Sequence, residues 1–370
     1  MSFKLPTYKS PDFQSEKFAN CPDITVRPVE KPGVAPAGFH ATTIFPEYFK
    51  VNGRWLLLDQ SRMDCVVVIG PDDRPTAKEF RRLAIGDKVV VGRTEDGRDG
   101  IYLHTRGFGD DSLASDTFAF RTGRSRETSY SRDYDRLYDL LRFEKENGYI
   151  VWVLGPAVVF DSDSKKAMIS LIENGYVDAI LAGNALAAHD LEGAVYKTAL
   201  GQDIYSQESV PDGHYHHLDI INAARGSGSL DQFIARQAID ESVVNACLKH
   251  QVPLVLAGSI RDDGPLPGVI ADVYEAQDAM RRHAKKATTV LCLATQLHSI
   301  ATGNMTPAYQ LVDDAVRPVY IFSVDVSEFA VNKLRDRGTL EVTSIVTNIQ
   351  DFLVNLQRTL VRPGGGPVGP

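Results

Sequence analysis

Short apolar segments separated by turn residues characterise the first part of the chain. The runs WLLLD, CVVVIG, KVVVG and IYLHT are rich in β-branched or aromatic residues, and turn signals such as Asn52-Gly53 and Asp96-Gly97 lie between them. This pattern predicts a β-rich domain over residues 37–146. One helix is expected inside it, over residues 75–85, where apolar side chains recur at helical spacing beside a cationic face.

Beyond residue 147 the pattern changes to nearly continuous apolar runs that alternate with helical stretches. Such alternation is typical of a parallel sheet whose strands are joined by crossover helices. The sequence therefore predicts an α/β protein of doubly wound type, with the parallel sheet in residues 147–360. The expected strands are residues 149–160, 179–182, 252–257, 289–294, 319–324 and 341–346, and the expected helices are residues 134–147, 165–173, 232–249, 273–282 and 327–336.

The two ends of the chain lack such periodicity. Residues 1–36 mix Pro, Lys and Glu and predict an irregular N-terminal arm, whereas the Pro- and Gly-rich residues 361–370 predict a disordered tail. The N-terminus lacks the pattern of a signal peptide, and no apolar run reaches the roughly 18 to 20 residues that a membrane helix needs. We therefore expect a soluble, cytoplasmic protein that does not bind a membrane.

The acidic composition argues against nucleic acid as a partner. The 370 residues carry a formal net charge of -8, whereas phosphate binding needs Lys and Arg clustered on one face. The cysteines show no CxxC spacing, so they predict neither a zinc site nor a disulfide framework, and they fit a reducing compartment. They are Cys21, Cys65, Cys247 and Cys292.

Candidate chemistry is expected where the parallel strands end, because ligands of open α/β sheets bind outside the carboxyl ends of the strands. Three of these ends place a Gly at the turn: Gly155-Pro156, Gly183-Asn184-Ala185 and the segment that begins at Gly258. The dinucleotide fingerprint G-x-G-x-x-G is absent from all of these turns. The sequence therefore argues against an ordinary dinucleotide-binding turn.

Polar side chains at three strand ends are candidates for binding and proton transfer. Asp262 and Asp263 lie beside an Arg, where a carboxylate could hold a substrate ammonium or accept a proton. His298 is either a general acid or base or a loop histidine bound to backbone carbonyls. Asp325 suits hydrogen bonds to a ribose diol, or it caps the helix that follows. An acidic residue there would repel a 2′-phosphate, which favours NAD over NADP.

Two further features have both a chemical and a structural interpretation. The tract His214, His216 and His217 resembles a metal site, but no second cluster with zinc spacing accompanies it, so we expect no metal. Packing near the cofactor or a subunit contact is the alternative. Cys65 is either a nucleophile or a buried cysteine at the start of a strand.

Long blocks of sequence resemble a known family. The blocks GYVDAILAGNALAAHDLE (residues 175–192), LAGSIRDDGPLP (256–267) and LHSIATGN (297–304), together with GFHATT and RMDCVVV, resemble the archaeal-type, NAD-dependent ornithine cyclodeaminase family. That family is also known as the LOR/SDH group. The resemblance extends from about residue 33 to residue 360 and is more specific than any of the short motifs above.

The resemblance implies a two-domain enzyme. It implies a β-rich substrate or oligomerisation domain (residues 37–146) and a Rossmann-like NAD-binding domain related to deoxyhypusine synthase (residues 147–360). The implied reaction converts ornithine to proline and ammonia, with NAD⁺ taking a hydride from the substrate and returning it. A homodimer or homotetramer is expected.

The matching blocks also imply site residues. The implied reaction needs an acid or base that transfers protons during ring closure, and we expect Asp262, Asp263 and His298, already candidates from their strand ends, to supply it. Cofactor contacts are implied for Asn184, Ala185, Gly258, Ser259, Ile260 and Asp325, and substrate contacts for Asp64, Arg106 and Asp263.

The sequence departs from the family pattern in two places, residues 121–132 and 207–216, and these departures leave other functions open. One alternative is a dehydrogenase or imine reductase that acts on a related amino or opine-like acid. The other is a non-catalytic NAD-binding protein that senses an amino acid.

Overall fold

A computed structural model describes residues 3–108, 131–262, 264–313, 315–327 and 341–361. Several predictions therefore lie outside the described residues. They concern Asp263, residues 121–130 of the first segment that departs from the family pattern, the helix expected after residue 327 and the tail after residue 361.

The β-rich part consists of two antiparallel sheets. One has the strand order β1-β6-β4-β5 and the other β3-β2-β7. Buried side chains from both sheets, including Phe49, Val67 and Ile101, pack into one apolar cluster. The strands are β1 (Thr25–Pro28), β2 (Glu47–Val51), β3 (Arg54–Leu57), β4 (Val66–Ile69), β5 (Pro75–Lys78), β6 (Lys88–Val91) and β7 (Ile101–Leu103).

The turn between β2 and β3 is the hairpin that the sequence predicts. Asn52 and Gly53 have φ angles of 52° and 75°. A two-residue turn with both φ angles positive matches the right-handed twist of the strands that it joins, and Asn-Gly tolerates this geometry best. The prediction of a turn at this position is confirmed.

The prediction of a helix over residues 75–85 is wrong. Pro75–Lys78 forms the edge strand β5, which pairs with β4, and only a short 3₁₀ turn at Phe80–Arg82 follows. Pairing with β4 satisfies the backbone groups of this segment, and an edge strand tolerates a proline. The N-terminal 36 residues also contain regular structure, helix α1 (Glu16–Ala19) and strand β1, because β1 pairs with β6.

The second half of the chain forms the predicted parallel sheet. Its six strands lie in the order β12-β9-β8-β13-β16-β17, and every neighbouring pair is parallel. Two short hairpins, β10-β11 and β14-β15, lie outside this sheet. The strands are β8 (Ile150–Leu154), β9 (Ala179–Gly183), β10 (Thr198–Ala199), β11 (Gln202–Asp203), β12 (Leu254–Ala257), β13 (Thr289–Leu293), β14 (Tyr309–Val312), β15 (Ala315–Pro318), β16 (Tyr320–Asp325) and β17 (Glu341–Val346).

Helices cover both faces of this sheet. The central strand β8 is buried along its whole length, and the indole of Trp152 donates a 2.9 Å hydrogen bond to the carbonyl of Tyr176. The helices are α2 (Ser131–Asn147), α3 (Ser162–Glu173), α4 (Asn184–Val195), α5 (Gly213–Ser227), α6 (Leu230–Gln237), α7 (Val243–Lys249), α8 (Val273–Ala284), α9 (Leu297–Met305) and α10 (Ile349–Leu360).

In the parallel-sheet part, two of the predicted elements also differ from those in the structure. The first strand ends at Leu154 because Gly155 leads into a 3₁₀ turn at Pro156–Val159. The helix expected over residues 232–249 is two helices, because Ala238 has a left-handed φ of 50° and Ser242 caps the second helix. The sequence analysis did not predict helices α4, α5, α9 and α10.

The strand order places a switch point at the centre of the sheet. From β8 the chain builds outward to β9 and β12, and it then returns to the other side of β8 to build β13, β16 and β17. The loops after β8 and β13 therefore leave in opposite directions, which opens a crevice at their carboxyl ends. Gly155 lies in this crevice, and its N–H donates a 2.8 Å hydrogen bond to the carbonyl of Leu293.

Gly155 has no room for a side chain. A Cβ atom there would lie 1.9 Å from the carbonyl oxygen of Ala294. Backbone rather than a flexible side chain stands in the way, so the clash cannot be relieved by a rotamer change. This close approach explains the glycine at the end of the first strand.

Among the helices of the described residues, none is long and apolar enough to cross a membrane.

We expect Gly155→Ala to lower the free energy of unfolding by about 1–3 kcal/mol, because the added methyl group must push apart two adjacent strand ends. Gly226→Ala is the matched control, since its Cβ would meet nothing within 4 Å and Ala favours the helix by about 0.5–1 kcal/mol. Urea unfolding monitored by circular dichroism measures the free energy of unfolding of both variants. A Gly155→Ala protein as stable as the control would contradict the close approach.

Candidate cofactor and substrate site

A tight turn shapes the loop that follows β12. The N–H of Gly258 donates to the carbonyl of Ile270 over 2.8 Å, and the N–H of Ser259 donates to Oδ2 of Asp262 over 2.8 Å. The N–H of Asp262 returns a bond of 3.0 Å to the carbonyl of Ser259. Asp262 thus holds the loop in shape, while Ile260 at its tip is fully exposed.

Asn184, at the start of α4, binds the C-terminal end of this loop. Its buried side chain accepts a 3.0 Å hydrogen bond at Oδ1 from the N–H of Leu266. Asn184 and Ala185 form the first turn of α4, whose cap residue Gly183 offers no side chain to bind the free N–H groups. Such an N-terminus attracts anions, including phosphate groups.

His298 packs over the start of the same helix. A Cβ atom on Gly183 would lie 2.9 Å from Cε1 of the His298 ring, so this glycine makes room for the imidazole. Burial lowers the pKa of His298 below its usual value, and Arg261 lowers it further, although the Asp262 carboxylate opposes both. The imidazole is therefore neutral near pH 7 and able to accept a proton.

Three glycines lie at strand ends where neighbouring protein atoms leave no room for a side chain. Besides Gly155 and Gly183, Gly258 would place a Cβ 3.1 Å from the carbonyl oxygen of Ile270. The sequence analysis marked Gly155 as a strand end but did not assign it to the site. Only the strand order shows that it lies at the switch point.

Asp325 ends β16 on the other side of the crevice. Its Oδ1 accepts a 2.9 Å hydrogen bond from the N–H of Ser327, which is the geometry of a capping residue. The sheet order puts four strand spacings between β16 and β12, or about 19 Å. Asp325 therefore faces the crevice from the opposite side to Ser259 and Asp262.

Among the described residues, neither candidate from the β-rich part makes a hydrogen bond or ion pair with His298. Asp64 is exposed, and its neighbour Arg62 donates a 2.6 Å hydrogen bond to the carbonyl of Asn304, near the end of α9 remote from His298. Arg106 is exposed, and within the described residues no hydrogen bond or ion pair joins it to the loop after β12. Contacts within the described residues thus link Gly183 to His298, Asn184 to the loop after β12 and Asp262 to His298, and they do not connect Asp64 or Arg106 to this group.

The cysteine and histidine candidates take structural positions. Cys65 is buried, and desolvation raises the pKa of its thiol, which disfavours a reactive thiolate. Nδ1 of His216 lies 2.8 Å from the Thr198 hydroxyl. Within the part of the chain that the structure describes, no group of three or more His, Cys, Asp or Glu could hold a metal ion.

Two protein-family models match the chain. The one described as "Arginine dihydrolase ArgZ-like, C-terminal, Rossmann fold" matches residues 137–356. The one described as "Arginine dihydrolase ArgZ-like, C-terminal, first region" matches residues 46–124. The Rossmann-like fold expected from the sequence is confirmed.

The chain is also similar to individual proteins over most of its length. It is 37% identical to the ornithine cyclodeaminase of Methanopyrus kandleri, in a match that covers 92% of this chain and 79% of that relative. The crystal structure of a conserved putative LOR/SDH protein from Methanococcus maripaludis matches with a TM-score of 0.80 at 35% identity, covering 92% of this chain and 98% of that chain.

A third match carries ligands. The crystal structure of AgrE in a ternary complex with ornithine and NAD⁺ matches with a TM-score of 0.57 at 33% identity, covering 92% of this chain and 46% of that chain. The resemblance that the sequence blocks indicated is thereby confirmed. The chain belongs to the family of archaeal ornithine cyclodeaminases, which shares its Rossmann fold with the C-terminal part of ArgZ-like arginine dihydrolases.

Proposed function

We propose that this protein is an NAD-dependent ornithine cyclodeaminase, an ammonia-lyase that converts L-ornithine to L-proline and ammonia. The proposal rests on one observation. More than nine-tenths of the chain is similar to ornithine cyclodeaminases, and over that length the chain is 37% identical to the M. kandleri enzyme. AgrE, which binds ornithine together with NAD⁺, supports the choice of substrate and cofactor. When bound, NAD⁺ supplies a reversible hydride acceptor, so it is recycled within one turnover.

The crevice fits a dinucleotide. The uncapped start of α4 at Gly183 offers free N–H groups to a diphosphate, which supports dinucleotide binding at this end of the sheet. We assign the cofactor contacts to Asn184, Ala185, Gly258, Ser259, Ile260 and Asp325.

We propose that His298, Asp262 and Asp263 form the proton-transferring group of the site. The neutral His298 imidazole can take a proton from the α-ammonium of the substrate before hydride leaves the α-carbon. Asp262 lies close enough to His298 to stabilise the imidazolium that results. Asp263 belongs to the same loop but lies outside the described residues.

Substrate contacts at Asp64 and Arg106 are a further part of the proposal. Both are exposed, and among the described residues neither makes a side-chain hydrogen bond or ion pair with His298. The proposed homodimer or homotetramer would let these residues reach the crevice of a second subunit.

The proposed division of labour follows the two halves of the chain. Residues 37–146 would form the substrate or oligomerisation domain and residues 147–360 the NAD-binding domain, in keeping with the separate apolar clusters of the two parts. We place the protein in the cytoplasm and in ornithine and proline metabolism; its free cysteines suit a reducing compartment.

The purified protein, given L-ornithine and a trace of NAD⁺, should form proline and ammonia in equal amounts without accumulating NADH, because the hydride returns to the product. Amino-acid analysis, an ammonia assay and cofactor absorbance measure the three quantities. Accumulating NADH would instead favour a dehydrogenase, and ligand binding without turnover would favour a sensor.

Replacing the carboxylate at the end of β16 should change the choice of cofactor. We expect Asp325→Ser to improve binding of NADP⁺ relative to NAD⁺ by about tenfold, since removing the negative charge removes repulsion of the 2′-phosphate. Calorimetric titration gives both dissociation constants, with Asp240→Ser at an exposed position as the control. If the ratio of the NADP⁺ and NAD⁺ dissociation constants does not change, Asp325 acts only as a capping residue.

An NMR titration should find the pKa of His298 below 6.5, because burial disfavours the imidazolium. Gly183→Ala should raise that pKa, since the new methyl group displaces the ring from its buried position. A wild-type His298 that titrates at or above 6.5 would contradict the buried environment and its role as a neutral proton acceptor.

A further inference from the structure

A second histidine with a buried carboxylate lies on α4, beyond the residues already assigned to the site. Glu192 is fully buried, and its Oε2 lies 2.7 Å from Nδ1 of His189. Its Oε1 accepts hydrogen bonds from the Thr198 hydroxyl over 2.9 Å and from the N–H of Gly201 over 3.4 Å. Burial alone would raise the pKa of Glu192, but the bonds from His189 and Thr198 outweigh it and lower the pKa.

This arrangement leaves one ring nitrogen of His189 for a ligand. Nδ1 is engaged by Glu192, so Nε2 is the nitrogen that can exchange a proton. Phe160 contacts the ring edge-on at 5.4 Å, and the ring of His217 lies 6.0 Å away. Among the described residues, Glu192 of its own helix and His217 of α5 are the titratable groups in contact with His189. The His189 side chain keeps 12% of its surface exposed.

His189 packs against the segment that follows β8. Phe160 follows the 3₁₀ turn at the end of β8, the strand at the switch point. On α5, His217, Ile221 and Arg225 are spaced four residues apart and therefore share one face.

That face of α5 reaches the loop after β12. Arg225 Nη1 donates a 2.9 Å hydrogen bond to the carbonyl of Pro265, and a Cβ on Gly264 would lie 3.9 Å from Ile221. His217 is one turn before Ile221 on this face, and its ring lies 6.0 Å from the ring of His189.

We propose that His189, positioned by Glu192, carries the proton during ring closure. This inference rests on the proposed function. His298 packs against Gly183 just before α4, whereas His189 lies in the second turn of that helix, and we assign each a different step. His298 would act on the α-ammonium before oxidation, and His189 on the nitrogen atoms that are exchanged afterwards.

The proton transfers balance within the step. After the α-carbon has lost its hydride, the δ-amino nitrogen attacks that carbon, and the new C–N bond makes this nitrogen acidic. His189 Nε2 accepts its proton. The imidazolium then gives the same proton to the α-nitrogen, whose bond to carbon breaks as ammonia departs. The cyclic imine that remains takes the hydride back, and His189 is neutral again. Glu192 stabilises the imidazolium between the two transfers, as a buried carboxylate does for a catalytic histidine.

The test compares His189→Gln with His250→Gln, an exposed histidine at the end of α7. Single turnovers with ornithine and NAD⁺ are followed by cofactor absorbance and by quenched proline analysis. For His189→Gln we expect NADH to form at the wild-type rate and to persist, while proline formation falls by about 10²–10⁴-fold. Added imidazole should restore part of the proline rate. His250→Gln should behave as wild type, and NAD⁺ affinity should be equal in all three proteins.

Proline formation by His189→Gln at the wild-type rate would overturn the inference. Equal slowing of NADH and proline formation would also overturn it, since His189 would then act before ring closure or support the fold. Failure of the proposed function is distinct, because the wild-type protein itself would then form no proline from ornithine.

Glu192→Gln tests the positioning role. The amide keeps an oxygen for the Thr198 hydroxyl but removes the charge that stabilises the imidazolium. We expect kcat to fall and the acidic limb of its pH profile to move to lower pH, with KM for ornithine nearly unchanged. A purely structural role would lower kcat without moving that limb, and this result would overturn the assignment of Glu192.

Discussion

The parallel pairing of β8 with β9 on one side and β13 on the other is the constraint on which the rest of the structure depends. It buries β8 on both faces and forces the loops after β8 and β13 to leave in opposite directions. The crevice exists only because the chain reverses its building direction there. Gly155 marks how closely the two strand ends approach, since Ala294 leaves it no room for a side chain.

Helix α4 connects this crevice to the interior through polar groups. Asn184 binds the loop after β12, Asp190 forms a fully buried ion pair with Lys165 of α3, and Glu192 holds His189. Buried charges are costly unless they are paired, so each of these groups fixes the helix against a specific neighbour. A rigid helix with its free N-terminus at the crevice is a suitable base for a binding site.

Charged side chains join the β-rich part to the parallel-sheet part. Glu79 contacts both Arg62 and Arg281, while Arg81 and Arg82 contact Asp278 of α8. The hydroxyl of Tyr309 also donates to the carbonyl of Leu58 over 2.5 Å. Burial lowers the pKa of Arg281 to about 10, and Glu79 opposes that change. These contacts lie along α8 and the end of α9, so they orient the two parts without filling the crevice.

The sequence alone determined the strands of the parallel sheet, because each is a run rich in apolar residues and bounded by turn residues, and the four inner strands are buried along nearly their whole length. It also determined the Asn52-Gly53 hairpin, which depends on local backbone preferences, and, through long matching blocks, the family. The sequence analysis did not predict helix α4, because this helix is buried nearly all round and lacks a polar face. It predicted a helix over residues 75–85 wrongly, because pairing with β4 overrides the helical pattern of these residues. Only the tertiary structure decided the strand order, the switch point at Gly155, and the meeting of Asn184, Asp262 and His298, since these depend on contacts between residues far apart in the chain.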